Sequence, residues 1–127
     1  MWIPHLLLSD DDAAFREAVG EGLRRRGLEV VDASDGAEAI ELIESSQLHL
    51  AVVDFNMPRL DGLSVLRHVH QSGRQLPCVL LSGQLDESIR REAEAADAFE
   101  VLSKPVRLQK LCETIFAALK ARYDWMA

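Results

Sequence analysis

Four groups able to do chemistry each follow an apolar run. Asp54 ends Leu50-Ala51-Val52-Val53 and opens Asp54-Phe55-Asn56-Met57-Pro58-Arg59-Leu60-Asp61-Gly62. Asp10-Asp11-Asp12 follows Leu6-Leu7-Leu8, Ser82 closes Val79-Leu80-Leu81, and Lys104-Pro105 comes just after Val101 and Leu102. A carboxylate at the carboxyl end of a buried strand faces ligands while its backbone stays locked in a sheet, and open α/β folds place their chemistry there. Clustered carboxylates raise one another's pKa unless a cation is present. A hard divalent ion relieves that repulsion, and Mg²⁺ takes a few carboxylates while keeping several waters. With such an ion in place, the Asp54 carboxylate can attack phosphorus as a nucleophile. The cation and the Lys104 ammonium would neutralise the equatorial oxygens, and the Ser82 hydroxyl would complete the site as a donor. Taken alone, each part is ordinary: a helix cap with extra acids, a surface lysine, a Ser-Gly turn. Together, at the ends of different expected strands, they are hard to explain as separate caps.

The elements that must position these groups alternate regularly along the chain. Residues 5–9, 28–33, 49–53, 77–82 and 99–102 are short apolar runs, the pattern of parallel strands covered on both faces. Helical patterns lie between them. Phe15, Val19 and Leu23 share one face of the first, Ala37, Ile40 and Ile43 one face of the second. The last carries a stripe of Leu108, Leu111, Cys112, Ile115, Phe116 and Leu119. Asp35-Gly36-Ala37-Glu38 has the form of a capping box, and Asp61 and Asp86 are N-cap candidates for the third and fourth helices. Arg24-Arg25-Arg26 closes the first helix, where cations suit the negative end of the dipole, and reads as a solvated helix end. The expected architecture is a (βα)5 layer sandwich, one domain over 1–127 with its core at about 5–119.

Composition excludes several classes. At 127 residues the chain can bury a sizeable core, and a net charge of −7 argues against a general nucleic-acid binder. Cys78 and Cys112 sit in apolar segments at no metal or redox spacing, as small buried hydrophobes of a reducing compartment would. The start, Met1-Trp2-Ile3-Pro4, lacks the form of a signal peptide. No apolar stretch approaches a membrane span, so a cytoplasmic protein is expected. His68 and His70 stand two apart on a helix and cannot face one ligand together, so the histidines receive no role.

The ordered set of motifs resembles the receiver domain of two-component response regulators, over roughly residues 5–119. The segment from Asp54 to Gly62 matches the family's phosphoacceptor stretch, including its Met-Pro and Asp-Gly pairs. Asp10-Asp11 matches the acidic pair after the first strand, Ser82 the Thr/Ser after the fourth, and Lys104-Pro105 the Lys-Pro after the fifth. The resemblance implies a doubly wound, flavodoxin-like five-stranded parallel sheet of order 2-1-3-4-5. It implies that Asp54 accepts a phosphoryl group from a histidine kinase or a histidine phosphotransfer protein. Asp11, Asp54 and the Asn56 carbonyl would bind Mg²⁺ directly, with Asp10 helping through water, while Lys104 and Ser82 would contact the phosphoryl oxygens. Such a domain is a signalling switch with slow self-dephosphorylation, not an enzyme by the usual label. It works through contact with a downstream protein, and a phosphorylation-dependent homodimer is compatible with it.

Two positions depart from that pattern. Val101 stands where the family usually has a ring that swings inward, three residues before the lysine, and Phe99 lies two residues earlier on the same side of the strand. Asp97 replaces the small Gly common before the fifth strand, which calls for φ > 0 at an Asp. Rival readings fit less well. A haloacid-dehalogenase-type aspartyl phosphatase needs a second acid where Asn56 stands, and an FMN carrier would have its phosphate repelled by Asp10-Asp11-Asp12. A phosphorylation-independent interaction module on the same scaffold is opposed by the intact acid set and left open by Val101. The end at Tyr123-Asp124-Trp125-Met126-Ala127 fits a single-domain regulator working through protein contact, the alternative being a longer protein cut at this point.

Overall fold

A computed structural model of the chain describes residues 2–84 and 86–126. Five strands alternate with five helices: β1 (His5–Ser9), α1 (Ala13–Arg25), β2 (Glu29–Ala33), α2 (Gly36–Ser45), β3 (Leu50–Asp54), α3 (Gly62–Gln71), β4 (Cys78–Ser82), α4 (Glu87–Ala95), β5 (Glu100–Ser103) and α5 (Leu108–Tyr123). All strand pairs are parallel, in the order β2-β1-β3-β4-β5, so the doubly wound flavodoxin-like expectation holds. Strand boundaries differ from the sequence reading by no more than one residue at every end. Strand chemistry explains the sandwich. Successive side chains of a strand point to opposite faces, so Leu6 and Leu8 face α1 and α5 while Leu7 faces the α2–α3–α4 side. On the α1/α5 face Leu23, Leu111, Ile115 and Leu119 are fully buried; on the other face Ile43 and Leu66 are buried with Val53 and Leu80.

The helix starts follow the expected chemistry. Asp61 and Asp86 cap α3 and α4 by accepting from the Ser64 and Ile89 N–H groups. Asp35 caps α2 by accepting from Glu38 N–H, while the Glu38 carboxylate reaches back to Ser34 N–H at 2.7 Å. That return bond lands one residue before the cap, a shifted form of the capping box. Asp12 caps α1, so one of the three clustered acids takes the ordinary structural role. The inward face of α2 also differs from the reading: Gly36, Ala39 and Ile43 are its buried residues, not Ala37. The arginine run behaves as a helix end, with Arg24 donating to the Val30 carbonyl, Arg26 to the Gly22 carbonyl and Arg25 pairing with Glu21.

Asp97 takes φ 62, as the sequence departure required, while its neighbour Ala96 closes α4. Phe99 lies just outside β5 and is 41% exposed, so it is no substitute for a switching ring beside the buried Val101. Both cysteines are buried and free, and burial pushes the Cys78 thiol up to about 12. No helix among the described residues is long and apolar enough to cross a membrane.

Candidate functional site at the strand carboxyl ends

The sheet brings together the acids that the sequence separates. β3 lies between β1 and β4, so Asp54 emerges beside the acidic turn after β1 and beside the end of β4. Asp10, Asp11 and Asp54 each offer a carboxylate oxygen, and the three oxygens lie within 4.8 Å of one another. Asp10 and Asp54 are almost fully buried while Asp11 is exposed. Lys104 comes from beyond β5 and places its Nζ 2.7 Å from Asp10 Oδ2 and 3.1 Å from Asp54 Oδ1. Its ammonium also lies 4.6 Å from the centroid of the Phe15 ring, a cation–π contact that seats the side chain over α1.

Local bonds fix each group. Asp10 Oδ1 accepts from Asp12 N–H at 2.9 Å, and the Asp10 carbonyl accepts from Arg16 at 2.6 Å. Ser82 is buried, and its Oγ accepts from Gln84 N–H at 3.2 Å, so the hydroxyl hydrogen is left to point elsewhere. Asn56 is exposed in the turn after β3; among the described residues no donor bonds its carbonyl. Gly62 N–H closes that turn onto the Phe55 carbonyl at 2.9 Å, and a Cβ at Gly62 would collide with the Asp54 carbonyl. The Asp-Gly pair therefore has a mechanical reason: Asp61 caps α3, and Gly62 lets that helix start against the backbone of Asp54. Of the loop at residues 83–86, which by sequence would close over a phosphoryl group on Asp54, Leu85 lies outside the described residues.

Electrostatics shape the reactivity. Burial raises the pKa of Asp54, the Lys104 hydrogen bond opposes that rise, and the charges of Asp10 and Asp11 add to it. Burial works against the charge of Lys104, yet bonds to Asp10 and Asp54 outweigh it and leave its pKa above the usual lysine value. One ammonium among three carboxylates leaves net negative charge. An oxygen-only acidic set of this kind suits a hard divalent cation, and the donors present fit Mg²⁺.

Phe15 beneath the lysine, Arg16 on the Asp10 carbonyl, and a bond from Ser9 Oγ–H to Met57 Sδ at 2.9 Å were not found from sequence. Phe15 with Lys104 and Ser9 with Met57 join elements that only folding brings near, and the Arg16 bond depends on the direction in which α1 leaves the acidic turn. A cleft of about 540 Å³ lined in part by Leu76, Cys78, Phe99 and Arg122 lies at the opposite, amino end of the strands, away from the acids.

A parallel (βα)5 sheet with acids and a lysine converging at its carboxyl edge defines the flavodoxin-like class with an acidic strand-end site. Comparison with known proteins narrows it. The response regulator receiver domain matches residues 6–116, and the chain belongs to that family. It is 38% identical over 115 residues to the response regulator MprA of Mycolicibacterium vanbaalenii, covering 91% of this chain and 50% of that protein. The MprA of Mycobacterium leprae is 37% identical with the same coverage. The chain thus spans about half the length of the curated relatives it matches. Among solved structures, chemotaxis protein CheY4 of Vibrio cholerae superposes with a TM-score of 0.87 at 26% identity, covering 93% of this chain and 100% of that one. A receiver domain protein from Clostridium thermocellum gives a TM-score of 0.88 at 27% identity, covering 98% and 100%.

Proposed function

We propose that Asp54 accepts a phosphoryl group from a phosphohistidine on a histidine kinase or histidine phosphotransfer protein, in a Mg²⁺-dependent reaction. The observation that carries this is the convergence of Asp10, Asp11 and Asp54 with Lys104 bridging Asp10 and Asp54. Asp11, Asp54 and the Asn56 carbonyl would hold Mg²⁺ directly, with Asp10 engaged through water. Mg²⁺, when bound, supplies positive charge that neutralises the acids and the transferring group.

The chain's own residues do the rest. The Asp54 carboxylate attacks phosphorus as the bond to the imidazole nitrogen breaks, so an acyl phosphate forms and the imidazole leaves. Lys104 follows the developing charge, moving from its carboxylate partners toward a phosphoryl oxygen. The Ser82 hydroxyl, which already accepts from Gln84 N–H, has its own hydrogen free to donate to a second oxygen. The new phosphoryl charge then biases the segments carrying Ser82 and Lys104, which makes the domain a switch read by a downstream protein.

The test is intact-mass spectrometry after incubation with acetyl phosphate and Mg²⁺. A single added phosphoryl group is expected, lost in Asp54→Asn. Label that persists in Asp54→Asn would sink the assignment.

A further inference from the structure

The turn between β3 and α3 is held from outside by a contact that the chemistry above does not use. Arg59 sits at φ 68, a left-handed conformation that glycine adopts freely and that a residue with a side chain holds only when its surroundings impose it. Its Nε and Nη2 both donate to Asp35 Oδ2, at 3.1 and 2.7 Å. The other oxygen of Asp35 accepts from Glu38 N–H at 2.8 Å, so one carboxylate caps α2 and grips Arg59 together. The Glu38 N–H and then Arg59 hold the Asp35 carboxyl below the usual carboxylate range, which keeps it charged for the grip. Next to it, the Leu60 carbonyl lies so close to Gly36 that a Cβ there would collide with it. The turn is therefore pinned twice: at Gly62 onto β3, and at residues 59–60 onto the first turn of α2. Asn56, Met57 and Pro58 span what remains.

We propose that Arg59 is a positioning residue whose ion pair with Asp35 seats the Asn56 carbonyl and so sets how tightly the acid cluster holds a divalent cation. This rests on the reading of Asp10, Asp11, Asp54 and the Asn56 carbonyl as a cation site. Glycine would satisfy the backbone at position 59 without strain. An arginine kept there is explained by what its side chain grips. Asp35 is also the N-cap of α2, so the same pair ties the geometry of the site to an element that contributes no ligand.

The experiment titrates Mg²⁺ into the phosphoryl-free protein and follows the backbone amide shifts of Asp11 and Asn56. Three variants are compared with the wild type: Arg59→Ala loses the grip and keeps the strain, Arg59→Gly loses both, and Asp35→Asn keeps a capping oxygen while losing the charge. Melting curves in EDTA show that each variant is folded. All three should bind Mg²⁺ more weakly by roughly tenfold, the low end of what losing a ligand-orienting group costs. Raising KCl to about 1 M should shrink the gap between wild type and variants, because an exposed ion pair is screened. Equal affinity of wild type and variants at low salt would overturn the clamp and leave the cation site standing. A wild type whose amides ignore Mg²⁺ would overturn both.

Discussion

The two ends of the sheet handle titratable groups in opposite ways. At the carboxyl ends, Asp10 and Asp54 are buried beside exposed Asp11 and share one ammonium. At the amino ends, His49 Nδ1 accepts from His5 N–H at 2.9 Å, and Tyr123 O–H donates to the His49 carbonyl at 2.8 Å. The Trp2 ring lies 4.5 Å from the His49 ring and 5.6 Å from that of Tyr123. Burial raises the pKa of Asp54 above 3.8, so its contribution to stability is present below that value and is lost as pH rises through the folded pKa. Burial first, and then the charge of His5, lower the pKa of His49 below 6.5. Its contribution is present above 6.5 and lost as pH falls through the folded value. Rising pH thus works against the folded state at the Asp54 end, and falling pH works against it at the His49 end.

The largest expected effect breaks the carboxyl end mechanically. Gly62→Ala puts a Cβ against the Asp54 carbonyl and the Leu80 side chain. Overpacking of this kind costs roughly 1–3 kcal/mol. A displacement of Asp54 by about 1 Å should slow acetyl-phosphate labelling on the order of 10²-fold. Urea melts and labelling rates measure the two losses. An unchanged labelling rate would mean that the helix start does not set the position of Asp54.

How much of this was legible in sequence follows from the range of each signal. The strands, the caps Asp61 and Asp86 and the four strand-end groups are local patterns, and they stand where the pattern put them. The left-handed backbone at Asp97 was legible as well, because a residue type was judged against a backbone need. What failed was tertiary. The inward face of α2 falls on Ala39 rather than Ala37, a choice made by how the helix rotates against β1 and α3. Strand alternation gave Phe99 the side of Val101, yet it lies before β5 begins, where cover ends. Arg59 with Asp35, Phe15 with Lys104, and His49 with Tyr123 join residues far apart in the chain, so no local pattern marks them.

A second prediction relieves the carboxylate repulsion at the carboxyl end instead of disturbing its packing. Mg²⁺ at ten times its Kd should stabilise the native protein by about 1.4 kcal/mol through mass action. Melting temperature should rise with Mg²⁺ in the wild type and rise much less in Asp11→Ala, which lacks the exposed acid of the cluster. Flat melting curves across millimolar Mg²⁺ would remove the contrast between the two ends.

The third loads the amino end. Below pH 6.5, protonation of His49 Nδ1 expels the acceptor that His5 N–H uses. The groups facing it are His5, which is paired with Glu29 at 3.4 Å, and Tyr123, beside which Arg122 adds positive charge. Stability should fall as pH drops from 7.5 to 5, by about the 1 kcal/mol of one neutral hydrogen bond. His49→Gln, whose amide carries no titrating proton, should show a shallower fall over that window. A wild type and variant with parallel pH profiles would show that the ring does not titrate there.

The smallest expected effects come from loading the site with beryllofluoride as a phosphoryl mimic. A bound group shifts a conformational equilibrium only as far as its contacts differ between the two states. On the proposed reading those contacts would fall on Asn56, Ser82 and Lys104, while Val101 has no ring to move, so amide shifts should be large at the former and modest along β5. The amino end should be quieter still. Both tryptophans are there: Trp125 Nε1–H donates to the Trp2 carbonyl at 3.2 Å, and the Trp2 ring lies tilted beside that of His49. Tryptophan emission should therefore ignore beryllofluoride and respond to acid, when a charged imidazole forms against the Trp2 ring. Emission that moved with the phosphoryl mimic would point to α5, which ends at Tyr123 in the aromatic cluster. In that case the helix, not the missing ring at Val101, would carry the state of one end of the sheet to the other.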